Sequence, residues 1–165
     1  MKIPAGRVTG ELCTTMDLYA TFASLGGATL PTDRSLDSLD MADFWLGRAD
    51  RSPRDTYYFY SYSFLQAVRQ GPWKLIVPRP NAPRWTSWYA HTIDDIEDYE
   101  LYNVDHDISE LHNVAADHPD VISQLKALYE SARNELGDYD RVGADARFFD
   151  ADPPAPVLHR RAAPV

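Results

Sequence analysis

Three groups of residues in this sequence have types and spacing that could do chemistry. Cys13 is the only cysteine, so an internal disulfide is impossible and a cysteine-based zinc site is disfavoured. Asp94, Asp95, Glu97, Asp98 and Glu100 form an acidic run, and calcium takes about six to eight oxygen ligands. The run lacks the glycine turn and alternating ligands of a calcium loop, so it reads as a solvated acidic loop. His106 and His112 flank Asp107, Glu110 and Asn113; two imidazoles could hold zinc weakly, but no third strong ligand stands nearby. Asp107, Glu110 and Asn113 recur three residues apart, and polar side chains at that spacing suit unpaired backbone groups in a turn. No glycine-rich phosphate loop or nucleophile elbow is present.

The elements that must position these groups follow from periodicity and punctuation. Thr14 stands three residues before Asp17, a helix-start spacing, and a helix is predicted from Thr15 to Leu25. Leu18, Phe22 and Leu25 form its apolar stripe, and Gly26-Gly27 stop it. A short helix from Met41 to Leu46 is predicted next, capped by Asp40 and closed by Gly47. Thr56 to Tyr60 is rich in aromatic residues and reads as a strand. Phe64 to Arg69 and Trp73 to Val77 read as a hairpin turning on Gln70-Gly71-Pro72. In the second arm Trp73 and Leu75 should face inward and Lys74 outward. Arg69 reads as one half of a surface ion pair. Tyr99 to Val104 is a fourth strand. The strongest helix then starts at Asp117 or His118, with Pro119 in its first turn, and ends at Gly137. Val121, Leu125, Leu128, Ala132 and Leu136 make one apolar stripe to lie across the sheet. The expected fold class is α+β: a small antiparallel sheet of about four strands, packed by a long C-terminal helix.

Composition narrows the class. The 165 residues are 44% hydrophobic and 25% charged, as in an ordinary soluble globular protein. A formal net charge of −9 disfavours a general attraction to nucleic acid or anionic lipid. No apolar run approaches the roughly 20 residues that span a bilayer. The start, Met1-Lys2-Ile3-Pro4-Ala5-Gly6-Arg7, lacks the apolar core of a secretory signal, so the sequence as written reads as cytoplasmic. Cys13 reads as a small apolar residue near the first helix. The proline-rich stretch Asp152 to Pro156 reads as extended or disordered.

Several segments, in order, carry a family resemblance. They are Ile3-Pro4-Ala5-Gly6-Arg7-Val8 and Met16-Asp17-Leu18-Tyr19-Ala20-Thr21-Phe22, then Leu36-Asp37-Ser38-Leu39-Asp40 and Phe44-Trp45-Leu46-Gly47. Arg54-Asp55-Thr56-Tyr57-Tyr58-Phe59-Tyr60 and Ala67-Val68-Arg69-Gln70-Gly71-Pro72-Trp73-Lys74-Leu75 follow. Glu100 to Val104, the Asp107/Glu110/Asn113 segment and the helix at His118-Pro119 complete the series. Roughly from Ile3 to Gly143 the chain resembles the C-terminal part of sulfatases. Ser38 departs from the glycine that many members carry there, which leaves the subfamily open.

The resemblance implies hydrolysis of sulfate esters by a full-length enzyme that uses a formylglycine and a divalent ion, usually calcium. Both belong to a large N-terminal α/β domain, as do the sulfate-contacting residues. The formylglycine signal is Cys/Ser-x-Pro/Ala-x-Arg, and Cys13 is followed by Thr14-Thr15-Met16-Asp17 instead. Residues 1–50 then correspond to the edge of the large domain, 51–143 to the C-terminal subdomain, and 144–165 to an irregular tail. No catalytic or metal residue is expected in this chain, which reads as non-catalytic alone. Its expected partner is the large domain, or a second copy of itself. Full-length relatives are often periplasmic or secreted. One contribution to the pocket is implied for the loop after the Trp-Lys-Leu strand, which holds Arg84, Trp85, Trp88, Tyr89 and His91. Arg84, Trp88 and His91 are the candidate rim residues for a substrate flat at one end and sulfated at the other. The plainer reading is a loop pinned to the sheet by its aromatics. The rival reading of the whole chain is a stand-alone module that binds a sulfated ligand or a protein partner.

Overall fold

The computed structural model describes residues 3–79 and 96–146. Helix α1 spans Asp17–Leu25 and α2 spans Ala42–Trp45. Strands β1 (Thr56–Ser61), β2 (Phe64–Gln70), β3 (Trp73–Ile76) and β4 (Glu100–Asn103) follow. Helix α3 spans Pro119–Glu135, and β5 (Gly137–Asp138) pairs with β6 (Arg141–Val142). The four longer strands form one antiparallel sheet in the order β1-β2-β3-β4.

The β2–β3 hairpin turns on Gly71-Pro72, between the paired residues Gln70 and Trp73. Gly71 sits at φ +54°, the left-handed region that glycine enters without a Cβ penalty. Alternation along β3 sends Leu75 fully inward and Lys74 to the other face, where Nζ meets Glu110 at 2.7 Å and lies over the Phe59 ring. Val68, Leu75, Val77, Leu101 and Leu125 form the core between sheet and α3, with Trp73, Val121 and Leu128 packed around them.

Two apolar stripes read from the sequence behave differently. On α3, Leu125 and Ala132 are buried and Val121 and Leu128 half-buried, but Leu136 is 43% exposed. On α1 the apolar stripe faces away from the other described residues: Leu18, Phe22 and Leu25 are all exposed. The inward face of α1 is Asp17, Ala20 and Thr21. Ser38 Oγ accepts from the Ala20 N–H at 2.8 Å, and Thr21 Oγ1 accepts from the Met41 N–H at 2.9 Å. The loop before α2 therefore docks on α1 through hydrogen bonds to small and polar residues. At its C-terminus α1 closes as expected, with Gly27 at φ +69° and the Ala28 N–H on Ala23 O at 2.8 Å.

The segment between β4 and α3 satisfies backbone groups as its polar spacing predicts. Asp107 Oδ2 accepts from the His112 N–H at 2.8 Å. Asn113 Oδ1 accepts from the Leu101 N–H at 3.0 Å and the Ala115 N–H at 2.9 Å. Because Leu101 is fully buried, Asn113→Ala strands a buried donor. It should lower stability by about 1–3 kcal/mol, read as a shift of the urea midpoint. Asn113→Asp, which keeps an acceptor, should lose less.

Candidate functional site

The described residues converge at one place, where α1, the loop before β1, β1 itself and the end of α3 meet. At its centre lies an ion pair that the sequence reading did not identify. Asp17 is fully buried, and the Arg54 side chain is 11% exposed. Arg54 Nε donates to Asp17 Oδ1 and Oδ2 at 3.2 and 3.0 Å, and Nη2 donates both to Asp17 Oδ1 and to the Asp37 carbonyl. The carboxylate also accepts from the Leu39 N–H at 3.0 Å, the Thr14 N–H at 2.9 Å and Thr14 Oγ1 at 3.0 Å. The Thr14/Asp17 spacing was thus legible as a helix start, but here the aspartate accepts and the threonine hydroxyl donates. Burial pushes the Asp17 carboxyl up; Arg54 and the two backbone donors outweigh it and hold the group at about 2. The same hydrogen bond raises the Arg54 guanidinium.

A second set of bonds ties the residues before Arg54 to the start of the chain. The Ser52 N–H donates to Glu11 Oε2 at 2.9 Å, and Ser52 Oγ donates to the Leu12 carbonyl at 2.6 Å. The arrangement locks residues 11–17, 37–39 and 52–54 together. With each carboxylate oxygen already accepting several donors, it is built for rigidity and not for proton transfer.

Beside this node runs an open groove of roughly 600 Å³, within the usual size range of ligand pockets. Met16, Leu39, Tyr58, Tyr60, Leu128 and Leu136 supply its apolar surface, and Asp37, Asp55 and Glu135 its charge. Among its described lining residues the one arginine, Arg54, is committed to Asp17. Burial and the nearby Asp138 push the Tyr60 hydroxyl up to about 12, and it donates to the Gly137 carbonyl at 2.8 Å. Among the described lining residues, three carboxylates and no spare cation disfavour a sulfate ester by like-charge repulsion.

The candidate residues read from sequence fall as follows. Arg84, Trp88 and His91, with Trp85 and Tyr89, lie outside the described residues. What is described is the anchorage of their loop: the Arg79 N–H donates to the Ile96 carbonyl at 2.8 Å, so the loop leaves and returns at one point beyond β3. His112 is exposed beside Asp107, with Nδ1 3.5 Å from its Oδ2. Cys13, read as a small apolar residue near the first helix, is exposed. Arg69 pairs with Asp105 at 3.9 Å but bonds more closely to the Gly71 carbonyl, at 2.8 Å. Among the described residues no three His, Cys, Asp or Glu side chains are grouped to hold a metal ion. Nor does the sequence after Cys13 carry the formylglycine signal. The residues described here therefore do not fit calcium or formylglycine, and no chemical step is assigned through either. No helix among them is long and apolar enough to cross a membrane.

The family model for the C-terminal region of aryl-sulfatase matches residues 52–147, which spans the sheet, α3 and the β5–β6 hairpin. The chain belongs to the sulfatase family through this region. It is 31% identical over 118 residues to the N-acetylgalactosamine-6-O-sulfatase of Bacteroides thetaiotaomicron, covering 72% of this chain and 23% of that protein. With the steryl-sulfatase of Mus musculus it shares 37% identity over 84 residues, 48% of this chain and 14% of the other. A solved structure concerned with the metabolism of multiple glycosaminoglycans by Bacteroides thetaiotaomicron superposes with a TM-score of 0.55 at 32% identity, over 71% of this chain and 24% of that one. The PsFucS1 sulfatase from Pseudoalteromonas sp. shares the fold, with a TM-score of 0.56 at 23% identity over 69% of this chain and 24% of that chain. The chain spans less than a quarter of the length of each of these relatives.

Proposed function

We propose that this chain serves as the C-terminal subdomain of a sulfate ester hydrolase, is non-catalytic alone, and packs against a large α/β domain that supplies the formylglycine and calcium. The observation that carries this reading is the uncovered apolar face of α1. Leu18, Tyr19, Phe22 and Leu25 on this nine-residue helix, with Met16 just before it, are 38–62% exposed, an apolar patch of the kind that marks an interaction surface. The polar side of the same helix is the one bonded to the rest of the chain, so the apolar side remains for a partner. In this reading the loop bearing Arg84, Trp88 and His91 reaches the rim of the partner's pocket. The rival, a module that binds sulfated ligands by itself, finds little support in a groove lined by carboxylates.

The test is direct. The purified chain, given an aryl sulfate and calcium, should show no turnover. Reproducible hydrolysis that vanishes when one residue of this chain is replaced would overturn the proposal. Phe22→Ser should also move the stability of the chain by less than about 0.5 kcal/mol, as expected of an exposed site. A larger loss would mean that the face is already packed in solution.

A further inference from the structure

The groove beside the Asp17–Arg54 pair combines apolar surface with carboxylates. Its volume of roughly 600 Å³ is bounded by described residues and suits a small organic molecule. Four of its large side chains, Met16, Leu39, Tyr60 and Leu136, are each 37–43% exposed, so an apolar body has surface to cover. Asp37, Asp55 and Glu135 give the groove its sign. Asp55 Oδ1 accepts from Thr56 Oγ1 at 2.8 Å, and Glu135 Oε1 accepts from Ser131 Oγ at 3.2 Å. Both donors are neutral and leave the charge in place. Arg54 meets Asp37 at the main-chain carbonyl, and its own charge is balanced by the buried Asp17. The field of the carboxylates reaches the groove wall: burial, then the charges of Glu135 and Asp55, push the Tyr58 hydroxyl up.

We propose that this groove binds a small organic cation, an apolar body that carries a protonated amine or amidine. Covering Leu39, Leu128 and Leu136 supplies the general affinity. Tyr58 and Tyr60 add aromatic surface, which also attracts cations. The three carboxylates then select by charge among ligands of the same shape. Each is exposed, so each contributes up to about fivefold in affinity, and salt weakens the effect. Asp37 lies in the loop before α2, Asp55 in the loop before β1 and Glu135 at the end of α3. A cation among them therefore ties three segments together. Such a ligand takes no part in ester hydrolysis, so its failure to bind would leave the proposed subdomain role untouched.

The experiment is a titration of the full chain at neutral pH and low salt with naphthylmethylamine, followed by backbone amide NMR shifts. Naphthylmethanol and naphthoate, which keep the ring and lack the cation, are the controls. Saturable shifts should be confined to groove residues such as Tyr58, Tyr60 and Leu136. The amine should bind about three- to tenfold more tightly than the alcohol, with naphthoate weakest, and added salt should shrink the difference. Asp55→Asn/Glu135→Gln, two changes at exposed sites, should remove most of that preference and leave the affinity for the alcohol unchanged. Leu136→Arg, which brings a competing cation into the groove, should abolish the amine's binding. Absence of saturable shifts, shifts outside the groove, equal affinities for amine and alcohol, or an amine affinity unchanged in both variants each overturn the proposal. So do groove shifts that appear when the chain alone is concentrated, which would make a second copy the occupant.

Discussion

Replacing Arg54 by alanine should lower the stability of the chain by about 3–5 kcal/mol, the usual loss when one partner of a buried ion pair is removed. The magnitude follows from Asp17, which has no exposed surface and would be left charged without its guanidinium. The Asp37 carbonyl loses a donor in the same change. Urea denaturation of the wild type, Arg54→Ala, Asp17→Ala and the double variant would measure the coupling, expected at about 0.5–3 kcal/mol for residues in direct contact. Additive losses would mean that the pair is not formed in solution. Its pH dependence has a definite sign. Asp17 titrates at about 2 when folded, below its ordinary 3.8. Its contribution, about 2 kcal/mol by linkage, is therefore full above the ordinary value and is lost as pH falls through about 2. In Arg54→Ala only burial and the neutral donors act on Asp17, so its carboxyl should rise and the deficit should shrink on acidification. A deficit that stays constant between pH 7 and pH 4 would count against this account.

How much of this was legible in the sequence depends on whether the deciding contacts are local. The β2–β3 hairpin was legible because alternating apolar residues flank a glycine-proline turn. Helix α3 was legible because its cap, its stripe and Gly137 lie in one continuous segment. Hairpin β5–β6 was missed, since its strands are two residues long and are held by distant groups. Asp138 Oδ1 accepts from the Leu65 N–H at 3.0 Å, and Arg133 Nε donates to Asp138 Oδ2 at 2.7 Å. The Asp17–Arg54 pair spans 37 positions and leaves no periodic trace, though both residues lay within segments that carried the family resemblance. On α1 the apolar stripe was recognised, but nothing in its periodicity distinguishes a face covered by the same chain from one kept for a partner. The pocket-rim candidates Arg84, Trp88 and His91 rest on the resemblance, and the described structure adds only the point where their loop is anchored.

Leu125→Ala should cost about 2–5 kcal/mol, whereas Leu136→Ala on the same stripe should cost less than about 0.5 kcal/mol. Eleven positions separate them, just over three full turns, so both project from nearly the same side of the helix. Their surroundings decide the difference. Leu125 is 1% exposed and sits among Val68, Leu75 and Leu101 over the middle of the sheet. Truncating it leaves a cavity that strand side chains, fixed by their ladder, can only partly fill. Helix α3 has 17 residues, about 25 Å at 1.5 Å per residue. Gln124 near its start bonds to Gln70 at the turn end of the sheet, and Gly137 just after it accepts from Tyr60, so the helix runs toward the far end of β1. Leu136 emerges there, 43% exposed and lining the groove beside β1. Denaturant midpoints of the two variants, taken at equal m-value, give the comparison directly. Equal losses would place Leu136 under cover in solution. Equal small losses would instead mean that α3 does not pack on the sheet through Leu125, and the arrangement of the core itself would be wrong.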